Sequence, residues 1–532
     1  MSPLHPSHPV STVAKPAART AAPRRRGPGV AADHAHYKWW ALSCTSLGML
    51  LATINSGTLI IALPDLERSL HTSILSLVWV ILAYMIASTV LVLTAGRLSD
   101  LFGRKAAYVA GFVVFSAASL GAGFAGDGTE LILWRILQGI GGAFLFANAS
   151  ALVTDAFPRE QLGLAMGTNT MVAAIGLVLG PVLGGVLVAI SWHWVFWFNV
   201  PLGLIGAAWG ALVLRELAKT DTNRGYDLLG TTTFVVGLTG LVLGVSRGGL
   251  SGWGDPIVIG GLLAAAVLLP LFVLIERRGR TPMLDLTIFR NRLFAAATAA
   301  AFINGLARFA LMFVFVFYFQ GAKGDDPITA GIKLIPLAAG MLISSPLAGV
   351  WADRHGSRVL SALGMLVSAI GLALMTTLQV HTPYWQSGLW MLIVGIGSGM
   401  FNSPNTAAMM GTVPAQRRGI AAGARTMLQN TGAVISIALV LAIITAAVPK
   451  DLLFKIFSGL TQGLSEQRLA PFIANMHTAL WVLAASALVG TGVSLLRPRH
   501  DSPPDEDDGT PEPEPRSRPA TRTESREPEL AR

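Results

Sequence analysis

Runs of roughly 20 apolar residues, long enough to cross a ~30 Å hydrocarbon core as a helix, recur along this chain between short polar connections. Membrane strands would be about half as long and would alternate apolar with polar positions, so the pattern predicts helices rather than a barrel. The runs fall at about 39–62, 75–95, 106–125, 131–154, 163–190, 194–214, 228–246, 256–275, 293–319, 328–351, 358–379, 387–410, 419–447 and 471–496, which predicts fourteen spans.

Two of the polar connections share one pattern. Gly96, Asp100, Gly103 and the bases Arg104 and Lys105 in the first reappear as Gly349, Asp353, Gly356 and Arg358 in the second, 253 positions later. Further matches hold at a separation of 256: Gly139 and Gly141 with Gly395 and Gly397, Pro158 and Gly163 with Pro414 and Gly419, and Thr170, Met171 and Gly176 with Thr426, Met427 and Gly432. The chain is therefore expected to be an internal duplication. It reads as an all-α integral membrane protein of 14 transmembrane helices: two pseudo-symmetric six-helix bundles at 38–215 and 281–497, with an inserted two-helix hairpin and its linkers at 216–280. Parallel repeats of this kind enclose a cavity near the bilayer midplane and alternate its access by rocking.

Composition supports that picture, with 52% hydrophobic residues, 13% charged ones and a mean hydropathy of +0.58, far from the usage of a soluble domain. The ends differ from the middle. Residues 1–37 are rich in Pro, Ala, His and Arg without a run able to serve as a cleaved signal, and residues 498–532 mix acids with prolines, so both are expected to be disordered tails. A formal charge of +10 would suit nucleic acid if it were clustered, but the bases sit in alternate connections. Arg97, Arg104, Lys105, Arg277, Arg278, Arg354, Arg358, Arg417 and Arg418 fall on one side, with Lys219 and Arg224, whereas Lys323, Lys450 and Lys455 are among the few on the other. By the positive-inside rule both termini are cytoplasmic and the protein is a multi-pass component of the cell membrane. The expected partners are the lipid bilayer and a small-molecule substrate, with no nucleic acid and with the chain acting as a monomer.

Cys44 is the only cysteine, which excludes an intramolecular disulfide and a multi-cysteine metal site; no metal or other cofactor is expected. Trp39, Trp40, Trp192, Trp194, Trp253 and Trp385 stand at predicted span ends, where an indole anchors at the membrane interface.

In each polar turn the glycines let helix ends approach, the aspartate can accept from backbone donors at a helix start, and the bases hold one face of the membrane. A tight charged turn without further role is the plain alternative, and its recurrence weighs against it. In the fifth run, Gly176, Gly180, Pro181, Gly184 and Gly185 put four glycines and a proline into one helix. Close packing combined with a lost ladder bond suits a bent gating helix. Arg135, about a turn into the fourth run, and Arg308, near the middle of the ninth, are costly at membrane depth unless they meet water, a partner or the bundle interior. Snorkelling is the simple alternative for Arg135, and bonds to neighbouring carbonyls for Arg308. Asn55, Asn148, Asn304, Asn402 and Asn405 are cavity candidates, as are Ser56, Gln429 and Asn430, with interhelical hydrogen bonding an equal reading. Asn304 and Arg308 share a helix face. His193 and His477, near predicted span ends, read as interface residues. No Asp or Glu falls in the middle third of any run. The cavity is thus expected to be electropositive and to suit anionic, zwitterionic or neutral amphiphiles over organic cations.

Taken together these motifs resemble the major facilitator superfamily, specifically its 14-spanner drug:proton antiporter branch. The turn from Gly96 to Lys105 is similar to the superfamily's loop signature between spans two and three. Arg135, in Leu131-x-x-x-Arg135-x-x-Gln138-Gly139, resembles the fourth-span motif whose arginine is implicated in proton coupling. Gly176 to Gly185 resembles the antiporter motif of exporters, and the stretch from Trp192 through Asn199 to Gly203 resembles the start of the branch's sixth span, which often has Arg where His193 stands. The resemblance implies a proton gradient as the energy source and Arg135 as the coupling candidate. One departure accompanies it: counting back from Ala62-Leu63-Pro64, the position where the branch commonly has Asp is Asn55.

The expected function is secondary active export of small amphiphilic compounds, multidrug or metabolite efflux, by alternating access with proton antiport. The alternative is uptake or facilitated transport of a specific anionic or neutral metabolite, against which Gly180 and Pro181 argue. A membrane enzyme would need a catalytic constellation, and a receptor a soluble signalling domain; the sequence offers neither.

Overall fold

The computed structural model describes residues 36–217 apart from 71 and 73, 227–279, 284, 286–445 and 466–498. The expected tails lie almost wholly outside these residues, as do Lys219, Arg224, Lys450 and Lys455. All regular structure among the described residues is helical. In chain order the helices are α1 Tyr37–Leu70, α2 Ile74–Phe102, α3 Arg104–Ala122, α4 Gly128–Ala156, α5 Leu162–Ile190, α6 Trp194–Trp197, α7 Asn199–Val213, α8 Leu228–Ser251 and α9 Pro256–Arg278. They continue with α10 Arg292–Val316, α11 Pro327–Lys333, α12 Ile335–His355, α13 Ser357–Met375, α14 Tyr384–Gly411, α15 Arg418–Thr445 and α16 Glu466–Leu495. Among the described residues 11 stretches are long and apolar enough to cross a membrane. The long helices α1, α5 and α14 accompany them.

Several boundaries differ from the hydropathy pattern. The sixth run is divided at Phe198 between α6 and α7, and the tenth at Leu334 between α11 and α12. A π-helical segment, Phe317–Ala322, continues α10. The last helix starts at Glu466, before the apolar run, with Pro471 inside it. His477 therefore lies well within α16 rather than at its end, and its Nε2 stands 2.7 Å from the Leu378 carbonyl. Trp192 is no interface anchor: it is buried among Leu59, Leu66 and Phe196 and stacks on His193 at 3.9 Å. Trp39, Trp40, Trp194, Trp253 and Trp385 are exposed as expected.

Helices pair within each half of the chain, α1 on α5, α2 and α3 on α4, and α3 on α7; later, α10 on α15, α12 and α13 on α14, and α13 on α16. Two seams join these sets, α5 against α12 and α2 against α15. Both depend on residues without side chains. A Cβ added at Gly167 would stand 2.6 Å from the Ser345 carbonyl oxygen, and one at Gly423 2.8 Å from that of Val92. Small residues of this kind let helix backbones touch in an apolar medium, where packing rather than water exclusion drives association.

Helices α8 and α9 press together at Gly240 and Gly261, and α8 also lies on α2 and α15. Phe234 and Leu238 of α8 and Phe272 of α9 share one apolar cluster with Val92 and Leu93 of α2 and Ile420 of α15.

Candidate functional site

Helix α2 ends in Asp100, whose carboxylate crosses the α2–α15 seam. It accepts from the backbone N–H groups of Gly419 at 3.1 Å and Ile420 at 2.9 Å, the first turn of α15. Those amides have no partner within their own helix, so an anion placed there satisfies them and meets the positive end of the helix dipole. Gly96, one turn earlier, lets α2 lie against the Gly419 backbone. Gly103 adopts φ 107°, a region that favours glycine, and turns the chain into α3. Arg104 follows directly. Its Nη2 donates to Asp100 at 2.7 Å and its Nε at 3.1 Å, while further donors meet Asp155, at the end of α4, and the Ala415 carbonyl. Arg418 completes the set, donating to Asp155 at 2.9 Å. Two arginines and two aspartates thus alternate across the junction of α2, α4 and α15.

The second turn repeats the geometry with other partners. Asp353, near the end of α12, accepts from the N–H groups of Gly163 at 2.8 Å and Leu164 at 3.1 Å, the first turn of α5. Gly349 lies against Gly163, whose carbonyl accepts from Ser403 Oγ at 2.9 Å, and Gly356 turns the chain at φ 85°. No basic side chain reaches Asp353 among the described residues. Arg358 is half-buried at the start of α13, and Lys105 donates to the Ala211 carbonyl at 2.7 Å. Glu216, which sequence reasoning passed over, binds the Arg104 and Lys105 amides at 2.9 and 3.0 Å and so caps α3.

Asn55 and Arg135 meet in the interior of the first half. The Asn55 side-chain oxygen accepts from Arg135 Nη1 at 3.3 Å, Gln138 Nε2 at 3.2 Å and Asn199 Nδ2 at 3.4 Å. Arg135 also donates to the Val80 carbonyl at 3.1 Å and to Gln138, and its guanidinium lies 4.6 Å from the centre of the Tyr84 ring. Gln138 reaches Ser119 at 2.7 Å. All are buried. Arg135 therefore points inward, not to the interface, and one neutral oxygen takes three donors at the position where the branch's carboxylate is usual.

In the second half Arg308 projects from the middle of α10. Among the described residues its Nη1 reaches only the Met341 sulfur, at 3.7 Å, and Met341 packs with Ala174 and Ala338 between α5 and α12. Asn304, a turn earlier, contacts the Met365 sulfur at 3.4 Å. Asn402 accepts from Gln429 at 3.2 Å. Asn405 and Asn148 are drawn into interhelical bonds, the first with Arg497 and the Ala297 carbonyl and the second with Ser99. Arg425, two turns into α15, joins this interior; its place well inside an apolar run was the available signal.

The fifth-run glycines serve mainly α1. Added Cβ atoms at Gly180 and Gly184 would fall 2.8 Å from Gly57 and Thr58 backbone atoms, and Gly176 sits against Thr53. Helix α5 runs unbroken through Pro181 from Leu162 to Ile190. Gly185 instead faces Ile328 of α11. At that far end of the molecule Lys333 pairs with Asp325 at 2.6 Å, and Lys323 meets the Thr382 carbonyl. Burial, with the Lys333 charge beside it, pushes the Lys323 ammonium below its ordinary range.

A family profile described as Major Facilitator Superfamily matches residues 45–437, with a second match at 297–528. The tetracenomycin C resistance and export protein of Streptomyces glaucescens is 29% identical over 395 residues, 74% of this chain and 73% of that protein. Multidrug resistance protein Stp of Mycobacterium tuberculosis is 32% identical over 411 residues, 76% of this chain and 75% of its own. Among solved structures, the human organic anion transporter MFSD10 superposes with a TM-score of 0.62 at 13% identity, over 86% of this chain and 99% of that one.

Proposed function

This chain belongs to the Major Facilitator Superfamily and is a multi-pass membrane transporter, and on that premise we propose that it is a secondary active exporter of small amphiphilic compounds, working by alternating access with proton antiport. The reciprocal latch carries this reading. Asp100 of the first half holds the start of α15, Asp353 of the second half holds the start of α5, and both act at one end of the molecule. Two halves clamped at one end by bonds between them, with glycine backbones in close contact along both seams, have the mechanical parts of a rocking transporter. The 11 apolar stretches together with α1, α5 and α14 supply fourteen spans in this reading, arranged as two six-helix halves with α8 and α9 between them. The latched end is then the cytoplasmic one, by its wealth of arginine.

The direction of transport draws support from relatives named for resistance and export; the uptake alternative has no comparable support. Proton antiport follows the branch resemblance, with Arg135 as the coupling candidate inside the Asn55 cluster. Everted vesicles containing the protein test both parts. A panel of amphiphilic compounds should accumulate when the lumen is acidified and leave when the gradient is collapsed. Accumulation indifferent to the gradient removes proton antiport, and movement only into intact cells removes export.

A further inference from the structure

We propose that Arg308 and Arg425 form the docking site for the anionic head of the cargo, and that the cargo class is therefore amphiphilic carboxylates. This rests on the exporter reading and adds to it the charge of what is carried. Helices α10 and α15 touch where Gly305 meets the Gln429 backbone. Arg308 lies one turn past that crossing on α10 and Arg425 one turn before it on α15, so the two residues stand on either side of one crossing.

What sets this pair apart is the lack of partners. Arg104, Arg135 and Arg497 are buried as well, and each is held by oxygen acceptors: two aspartates for the first, a carbonyl and two side-chain amides for the second, Ser361 and Asn405 for the third. Among the described residues Arg308 has only the Met341 sulfur and the face of Phe309, 4.6 Å from the ring centre, and its Nε is enclosed without an acceptor. Arg425 makes no hydrogen bond or ion pair among the described residues, and its Nε is enclosed too. Both are half-buried, Arg308 well inside α10 and Arg425 two turns into α15.

A guanidinium presents five donors in a rigid fork, and leaving them unmatched away from bulk water is costly. No carboxylate of the protein lies in the middle of any described helix to meet them. A carboxylate on the cargo matches the fork in two parallel bonds, while Phe309 and Met341 offer an aromatic face and a thioether to its apolar body. The duplication sharpens the contrast. Arg308 lies 253 positions from Asn55, the separation of Asp100 and Asp353, so one half has an amide bound to an arginine where the other has an arginine left open.

The full-length protein in detergent can be titrated with three probes of one shape, 1-pyrenebutyrate, its methyl ester and 1-pyrenebutylamine, following energy transfer from tryptophan to pyrene. The acid should bind at least about tenfold more tightly than the ester or the amine, and Arg308→Gln or Arg425→Gln should each cost about tenfold in affinity for the acid alone. Arg308→Lys and Arg425→Lys keep the charge but lose the fork, and should weaken acid binding several-fold with ester binding unchanged. Should a Gln variant fail to elute as a single monodisperse species, the Lys variant decides the matter. Ester or amine binding as tight as the acid, no binding of the acid, or unaltered acid binding in the variants would overturn the proposal. The exporter reading is judged separately in everted vesicles. Accumulation of the ester but not the acid leaves export standing and removes the anion site, whereas arginine-dependent binding without accumulation of any probe keeps the site and removes export.

Discussion

The two latches have the same backbone geometry and different charge surroundings. Asp100 and Asp353 each cap the first turn of a helix in the opposite half, at nearly the same distances. From Asp100, Arg104, Asp155 and Arg418 continue an alternating chain of ion pairs. The corresponding positions around Asp353 are Ser357, Gly411 and Leu162, all neutral. A carboxylate at the end of one helix, a glycine one turn before it and a free helix start opposite are enough to make the cap, and duplication delivers all three. The ion-pair chain instead needs charged side chains at three further helix ends at once, drawn from both halves, and only the first latch has them. The first latch is thus a charge network and the second a dipole contact, so they should respond differently to substitution.

The largest effect expected is that of Arg104→Ala, which leaves Asp100 and Asp155 facing each other in a buried site. Loss of one partner from such a group costs roughly 3–5 kcal/mol, and the thermal unfolding midpoint in detergent should fall by several degrees. A midpoint like that of the parent would show that the ion pairs add nothing to the cap. Next comes the direct comparison of Asp100→Asn with Asp353→Asn, read by hydrogen exchange at the capped amides. Loss of charge-assisted bonds at Asp100, about 1.5–3 kcal/mol, should speed exchange at Gly419 and Ile420 by tens-fold. At Asp353, which no basic side chain reaches among the described residues, the same substitution leaves no buried arginine without its carboxylate, and about 0.5–1.5 kcal/mol predicts a few-fold change at Gly163 and Leu164. Equal responses would erase the distinction drawn here. The smallest effect is that of Glu216→Gln, which weakens the cap on α3 that has no equivalent at Gly356. At about 0.3–1 kcal/mol for a charge at a helix start, exchange at the Arg104 and Lys105 amides should rise less than about fivefold.

The turns, their glycines and the duplication were legible because they are local patterns repeated at a fixed separation. Correspondence does not reveal contact, however. That Asp100 would find Gly419 and Asp353 would find Gly163 depends on how the halves cross, which no spacing within either half contains. Asn55 stood out as a departure, but its place on Arg135 required α1 and α4 to be brought together. Glu216 and Asp155 were hidden for a related reason: acids at helix ends are common, and only the fold shows which of them meet a buried arginine. Arg425 was visible in the sequence as a base well inside an apolar run and was overlooked beside the more central Arg308. His477 was misplaced because the boundary drawn from hydropathy started the last helix too late, whereas the boundaries around Trp192 were right and only packing among Leu59, Leu66 and Phe196 shows that it is buried.

Helices α8 and α9 make the two flanks of the protein unequal. A duplicated chain would present the lipid with two like grooves, one over each seam. Here Phe234, Leu238 and Phe272 cover the α2–α15 groove, while beside α5 and α12 the side chains of Val182, Val186, Ile343 and Leu347 remain exposed. An oily molecule diffusing in the plane of the bilayer therefore meets bare helix crossings on one flank only, and acyl chains that fill in behind a widening seam have a single side from which to come.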